Sequence, residues 1–189
     1  MTALLISTQR FIDSRGWFTE SWNKACFSQL GISADFIQDN HSCSLAAGTL
    51  RGLHLQRPPY AQAKLVRCLK GRIFDVAVDL RRGSPTFGKW EGVELSAETG
   101  NQLYVPGGYA HGFLTLEPDC EVAYKVDCYY MSEADRGIAW NDPELAVGWP
   151  LGAMKPVLSD KDAALPSLKE IDFDFPYDGK PLLPLKEQM

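Results

Sequence analysis

The sequence predicts an all-β fold, an antiparallel sandwich or barrel, and three observations support this prediction. Apolar and polar residues alternate with a period of two through the middle of the chain, as in strands with one buried face. Turn segments rich in Gly, Pro, Ser and Asp separate these runs at roughly even spacing. Helical signals occur only in the flanking segments. Many short strands with regular turns are typical of an antiparallel sandwich or barrel.

The central strands follow one another along the chain. In the run Arg72–Leu80 one face carries four apolar residues and the other carries Asp75 and Asp79, which predicts a strand with one buried face. Further strands are predicted at Gly52–Gln56, from Lys64 to Leu69, and at Trp90–Leu95, Gln102–Pro106, His111–Leu116 and Glu121–Val126. The turns between them include residues 82–85, 106–108 and 117–119.

The flanking segments are predicted to hold two short helices. Ser21 is expected to cap a helix that runs to Leu30, and Ser159 to cap another that leads toward Leu165. Six prolines follow Trp149, so we expect the tail to wrap the surface rather than form a second core. The chain is therefore predicted to be one domain over residues 1–189, with an N-terminal arm to about residue 45 and a proline-rich tail from about residue 150.

Composition excludes several classes of function. The net charge is −5 and no run of Lys and Arg is present, which argues against nucleic-acid and anionic-membrane partners. The first ten residues lack a basic leader and a long apolar stretch, so a cytoplasmic protein is expected. The five cysteines are odd in number and form no Cys-x-x-Cys pair, which favours reduced thiols over disulfides or structural zinc.

Histidine gives the first indication of chemistry. The chain has three histidines, and two of them, His54 and His111, lie within predicted strands. Histidine has the side-chain pKa nearest neutrality, so one that faces a cavity is a ready proton acceptor. Strand parity places His54 and Gln56 on one face, and places Tyr124 with the apolar face of its own strand.

Each candidate also has a purely structural interpretation. His54 could be a core histidine with a hydrogen-bond partner, and Lys64 could hold its ammonium in water at a strand end. Tyr124 could be a core aromatic residue. Asp162 follows Ser159 by three residues, the spacing of a capping box at a helix start. No single residue decides between the two interpretations.

Taken together, the motifs resemble those of the dTDP-4-dehydrorhamnose 3,5-epimerase family over about residues 13–162. The resemblance implies a cupin-type, antiparallel jelly-roll barrel with short flanking helices. The matching segments are DSRGWFTE (13–20), FIQDNHS (36–42), LRGLHLQ (50–56), AKLVRC (63–68), FDVAVD (74–79), SPTFG (84–88), YAHGF (109–113), YK (124–125), WNDP (140–143) and LSDKD (158–162).

The resemblance implies a reaction at a keto-sugar nucleotide, dTDP-4-dehydro-6-deoxyglucose. A base removes the proton beside the ketone to give an enolate, and an acid returns a proton to the opposite face at carbons 3 and 5. By resemblance His54 is the base, and Asp162 bonds its other ring nitrogen. Lys64 places positive charge near the developing oxyanion. Tyr124 donates the proton from the other side. The pathway implied is that to dTDP-L-rhamnose, with no cofactor and no metal.

The resemblance also implies how the anionic substrate is held. The substrate would be contacted by four residues, Arg51, Lys64, His111 and Lys161. The nucleotide would be held by four residues of the partner subunit of a homodimer, Arg15, Glu20, Gln38 and Asn40. Asp39 and Arg136 are further candidates for substrate binding, although the residue type at Arg136 varies among relatives.

Three alternatives remain open at this point. A metal-dependent cupin oxygenase is disfavoured because Gln56 stands where such barrels carry the second histidine of the first motif. An enzyme that epimerises only one carbon could keep the same acid and base. A non-catalytic sugar-nucleotide binding module is disfavoured because every catalytic position of the family is filled.

Overall fold

A computed structural model describes residues 1–172 and 174–188. The N-terminal arm contains β1 (Leu4–Ile6), β2 (Arg10–Asp13), β3 (Gly16–Thr19) and α1 (Lys24–Gln29). The central strands are β4 (Gln38–Ser44), β5 (Leu50–Gln56), β6 (Lys64–Lys70), β7 (Arg72–Asp79), β8 (Arg81–Arg82), β9 (Trp90–Ser96), β10 (Gln102–Val105), β11 (Tyr109–Thr115) and β12 (Cys120–Val126). The C-terminal segment contains β13 (Asp135–Gly137), α2 (Asp160–Ala163), a 3-10 helix (Leu168–Glu170), β14 (Phe175–Pro176) and β15 (Glu187–Gln188).

Two sheets form the barrel, and this architecture confirms the predicted all-β jelly roll. One sheet has the strand order β15-β1-β10-β6-β12-β4, and the other has the order β13-β5-β11-β7-β9. The central pairings are antiparallel, whereas β15 joins β1 in parallel. Val66 and Val122 of the first sheet and Ile73 and Phe113 of the second belong to one buried apolar cluster. The core therefore lies between the sheets.

Both sheets are also covered on their outer faces, which corrects the prediction for β7. Its two aspartates are fully buried, and the strand contributes Val76 and Val78 to one apolar cluster and Ala77 to another. The prediction of one solvent-facing side was wrong because the C-terminal segment packs on the outside of this sheet through Leu145, Leu168 and Phe175. The buried aspartates are compensated by partners, since Asp79 pairs with the buried Arg81.

The first helix begins later than the sequence predicts. Asn23, not Ser21, is its N-cap, and its side chain accepts from the backbone N–H groups of Ala25 and Cys26. The helix ends at Gln29 and lays Phe27 on the outer face of the larger sheet. Ser159 caps α2 as predicted. Within the described residues, no helix has both the length and the apolarity needed to cross a membrane.

Candidate active site

Nine of the thirteen predicted site residues line a divided cavity of the barrel. Two adjoining cavities of about 270 and 230 Å³ share His54, Lys64, Tyr124 and Lys161 as lining residues. We call the first the outer lobe and the second the inner lobe. The outer lobe is also lined by Gln38, Asn40, Leu55, Gln56, Gln62, Tyr130 and Asp135, and the inner lobe by Ser42, Arg51, His111, Phe113, Ser159 and Asp162.

Strand register explains the convergence. His54 lies on β5 of the smaller sheet, whereas Lys64 and Tyr124 lie on β6 and β12, which are neighbours in the larger sheet. His54 and Tyr124 therefore approach the cavity from opposite sheets. Leu53 and Leu55, which flank His54, pack into the cluster under the C-terminal segment. The period-two alternation thus directs the imidazole inward and its neighbours outward.

His54 is oriented by a carboxylate from the C-terminal segment. Its Nε2–H donates to Asp162 Oδ1 at 2.5 Å, so Nδ1 remains the nitrogen that can take up a proton. Burial acts to raise the pKa of the Asp162 carboxyl, but the hydrogen bond and charge of His54, together with Ser159 and Lys161, hold the pKa below its ordinary value. The backbone N–H of Asp162 bonds Ser159 Oγ. Asp162 therefore combines both predicted interpretations, because its backbone is capped while its side chain orients the histidine.

Tyr124 and Lys64 supply an acid and a cation on the opposite wall. Burial raises the pKa of the Tyr124 phenol, which therefore stays protonated at neutral pH and can donate a proton. Burial lowers the pKa of Lys64 to about 8, while the nearby charge of Asp75 opposes that shift. The Lys64 ammonium lies 3.5 Å from the backbone oxygen of His54. A cation is thus held beside the base in a partly desolvated site.

A second histidine–aspartate pair lies deeper in the inner lobe. His111 is the register partner of His54 on β11, and its Nε2–H donates to Asp75 Oδ1 at 2.6 Å. Burial is the main cause of the lowered pKa of His111, so the ring is neutral at neutral pH. The other carboxylate oxygen of Asp75 is buried and has no hydrogen-bond partner among the described residues. Sequence parity missed this pair because it placed Asp75 on a solvent-facing side.

The nucleotide-binding candidates separate into two groups. Gln38 and Asn40 line the chain's own outer lobe and are joined by a 2.9 Å hydrogen bond. This placement differs from the expectation that they act in a partner's site, because β4 pairs with β12 of the same chain and sets Asn40 opposite Tyr124. Arg51 borders the inner lobe and is anchored by Ser44 Oγ and the carbonyl of Cys43.

The remaining candidates lie outside both lobes in the single chain. Arg15 is exposed at the turn between β2 and β3 and pairs with Asp13. Glu20 borders a separate groove beside α1. Asp39 pairs with Lys125 on the outer side of the sheet, and Arg136 donates to the nearby backbone carbonyls of Glu133 and Asp135.

Several cavity residues were not predicted from the sequence. Gln56, Tyr130 and Asp135 line the outer lobe, and Ser42, whose buried hydroxyl has no partner among the described residues, lines the inner lobe. Gln56 shares a face of its strand with His54, and this alternation in the sequence could have identified it. The loop residue Tyr130 gave no comparable signal. Within the described ranges, no group of three or more His, Cys, Asp or Glu side chains is arranged to hold a metal ion.

The geometry is that of a proton-transfer site. An oriented imidazole faces a protonated phenol across a cavity, and an ammonium lies beside the imidazole. This arrangement can remove a proton from a carbon next to a carbonyl, stabilise the resulting enolate oxygen and return a proton from the other side.

Comparison with known proteins agrees with this chemistry. The family model described as dTDP-4-dehydrorhamnose 3,5-epimerase matches residues 2–170. A dTDP-4-dehydrorhamnose 3,5-epimerase of Sinorhizobium fredii is 49% identical over 173 residues, which is 92% of this chain and 88% of that protein.

Two solved structures extend the comparison to the fold. The Bacillus anthracis dTDP-4-dehydrorhamnose 3,5-epimerase, with TDP and PPi bound, is 53% identical with a TM-score of 0.85, covering 88% of this chain and 94% of that one. The Legionella pneumophila dTDP-6-deoxy-D-glucose-3,5-epimerase, in complex with dTDP-4-keto-L-rhamnose, is 45% identical with a TM-score of 0.87, covering 93% of each chain. The chain therefore belongs to the dTDP-4-dehydrorhamnose 3,5-epimerase family of isomerases.

Proposed function

We propose that this protein inverts carbons 3 and 5 of dTDP-4-dehydro-6-deoxyglucose, the epimerisation step in the formation of dTDP-L-rhamnose. The observation that carries the proposal is the placement of His54 and Tyr124 on opposite sheets around one cavity. Inversion requires a proton to leave one face of a carbon and another to arrive on the opposite face. A base and an acid on opposite walls meet that requirement without a cofactor.

The roles of the residues follow from their surroundings. His54 takes the proton on Nδ1, and Asp162 stabilises the imidazolium that forms. Lys64 stabilises the enolate oxygen by about 3 kcal/mol, by analogy with the loss of one oxyanion-hole donor. Tyr124 delivers the proton on the far side. Arg51 and Lys161 bring positive charge to the inner lobe, where it can balance the diphosphate of the substrate.

Incubation with the keto-sugar nucleotide in heavy water tests the reaction directly. We expect NMR to show deuterium at both carbon 3 and carbon 5, and a downstream reductase to consume the product. In Tyr124→Phe, inverted product should fall about a hundredfold while some deuterium exchange persists, because the base is intact. Tyr104→Phe is the matched control, since Tyr104 is a buried tyrosine in the cluster that contains Phe27. Deuterium at one carbon only would contradict the double epimerisation.

The proposed site is completed by a second copy of the chain. The β2–β3 hairpin exposes an apolar group that is 55–82% accessible in the single chain, consisting of Phe11, Ile12, Trp17 and Phe18. Exposed apolar clusters of this kind mark protein interfaces. Arg15 lies at the tip of the same hairpin, away from the chain's own cavity, so a homodimer would let it reach the partner's nucleotide.

We also place the protein in the cytoplasm, since all five cysteines are free thiols.

Sedimentation analysis tests the dimer. The expected mass is twice the 21.0 kDa of the chain. Trp17→Asp should shift the protein toward the monomer because it places a charge in an apolar contact. Glu144→Gln, which breaks only the exposed Lys169–Glu144 ion pair, should leave the mass unchanged. A wild-type protein that sediments as a monomer at micromolar concentration would refute the dimer.

A further inference from the structure

Gln56 lies at the outer lobe and is almost completely buried, with 3% of its surface exposed. It follows His54 by two residues on the same face of β5. A buried primary amide must find acceptors for two N–H donors and a donor for its oxygen, or its burial is costly. The hydrogen-bond partners of Gln56 therefore help to determine the structure of the cavity wall.

These partners are three backbone groups from two separate loops. The amide nitrogen donates to the carbonyl oxygens of Tyr60 at 2.8 Å and Tyr129 at 3.1 Å. The amide oxygen accepts from the backbone N–H of Met131 at 2.6 Å. Two acceptors and one donor define the orientation of the amide without ambiguity. One side chain thus joins the loop after β5 to the loop after β12.

Tyr130 lies between two of these anchored positions. Its side chain is 59% exposed, yet its hydroxyl donates to Asp135 Oδ2 at 3.0 Å, and the same oxygen pairs with the ammonium of Lys161. Asp135 is the register partner of Gln56 on β13. An exposed loop tyrosine held at its backbone and at its hydroxyl cannot swing freely. Gln56 on β5 and Asp135 on β13 therefore hold Tyr130 and Lys161 at set positions on the wall of the outer lobe.

We propose that Gln56 is the positioning residue of the outer lobe, which fixes the 129–131 loop so that Tyr130 and Lys161 meet the substrate in one arrangement. Gln56 does not take part in the proton transfer. Its loss therefore affects capture of the sugar nucleotide more than the chemical step. This inference rests on the proposed function, whose own test is the turnover of the wild-type protein.

Gln56→Glu provides a test that depends on pH. The new carboxylate can still accept from Met131, but its second oxygen faces two carbonyl oxygens at hydrogen-bond distance. Burial raises the pKa of such a carboxyl, and the protonated form can still donate to one carbonyl. We expect KM for the sugar nucleotide to rise about tenfold over wild type at pH 8 with kcat within about threefold. At pH 6 the ratio of KM for Gln56→Glu to KM for the wild type should fall toward one.

Gln102→Glu is the matched control. Gln102 is also a buried glutamine, with 2% exposure, and its amide donates to the backbone carbonyl of Ser21. It lies on β10 outside both lobes, so this change should lower thermal stability without raising KM. An equal rise in KM for both variants, or a KM ratio for Gln56→Glu that stays the same from pH 6 to pH 8, would overturn the proposal. A loss confined to kcat would overturn it as well.

A second variant keeps the proposal testable if Gln56→Glu does not fold. Tyr130→Ala removes the side chain that Gln56 is proposed to position, at an exposed site where folding is not at risk. We expect KM to rise about tenfold in Tyr130→Ala, a result that can be measured whether or not Gln56→Glu folds. Where Gln56→Glu does fold, the double variant Gln56→Glu/Tyr130→Ala should show little further increase at pH 8. An unchanged KM in Tyr130→Ala, or additive effects in the double variant, would overturn the proposal.

Discussion

His54→Ala is expected to abolish deuterium exchange at both sugar carbons. The side chain is the proposed base, and its Nε2–H is committed to Asp162, so the reactive nitrogen is set by one hydrogen bond. Loss of a general base alone costs about 10²- to 10⁴-fold in rate. We expect the upper part of that range, because no other imidazole is free to replace it: His111 is bonded to Asp75 within the barrel. The measurement is the rate of label uptake from heavy water, followed by NMR.

Two comparisons make this result specific. His41→Ala removes the exposed histidine that pairs with Glu121 on the outside of the sheet, and should leave exchange unchanged. Asp162→Asn keeps the backbone bond to Ser159 but loses the charge that stabilises the imidazolium, so exchange should fall in the correctly folded fraction. Near-normal exchange in His54→Ala would eliminate His54 as the base.

Lys64→Met is expected to lower kcat by roughly 10²- to 10³-fold, the cost of deleting one preorganised oxyanion donor. The substitution removes the charge but keeps an unbranched chain in a position that is 8% exposed. The folded protein should therefore lose little stability, since a buried cation is replaced by an apolar group. Lys169→Met, at an exposed ion pair with Glu144, is the control and should leave kcat unchanged.

Lys64→Met should also change the pH dependence of kcat/KM. Because burial lowers the pKa of Lys64 to about 8, the ammonium is present below that pH and is lost as the pH rises through it. Wild-type kcat/KM should therefore decline above pH 8, and Lys64→Met should lack this decline. An alkaline limb that persists in Lys64→Met would assign the titration to another group and remove Lys64 as the electrostatic stabiliser.

Periodicity alone was enough to predict most of the central strands and the inward direction of Tyr124, whereas for His54 it gave the residues that share its face but not which face turns inward. Alternation in β5 and β12 predicts which residues share a face of each strand, and these residues do share a face in the structure. Alternation did not predict the burial of Asp75 and Asp79 on β7. The C-terminal segment covers the apolar face of this strand, so the face that carries the aspartates turns into the barrel. Nothing local in the sequence announces that the C-terminal segment covers this sheet.

The parts of the site that escaped prediction depend on contacts between distant segments. Asp75 meets His111 only through the β7–β11 register, and Tyr130 acquires its position from backbone groups held by Gln56. Helix α1 shows the same limit on a small scale. Both Ser21 and Asn23 are acceptable caps, and the packing of Trp22 against Phe27 and Phe36 accompanies the later start.

Helix α2 has a consequence for the order in which the molecule becomes competent during synthesis. Every strand that lines the inner lobe precedes residue 127, whereas the carboxylate that orients His54 arrives only with Asp162. A nascent barrel that has already closed would hold its imidazole without a fixed tautomer. The full rate of turnover would therefore be reached only after the C-terminal segment has left the ribosome and docked on the barrel.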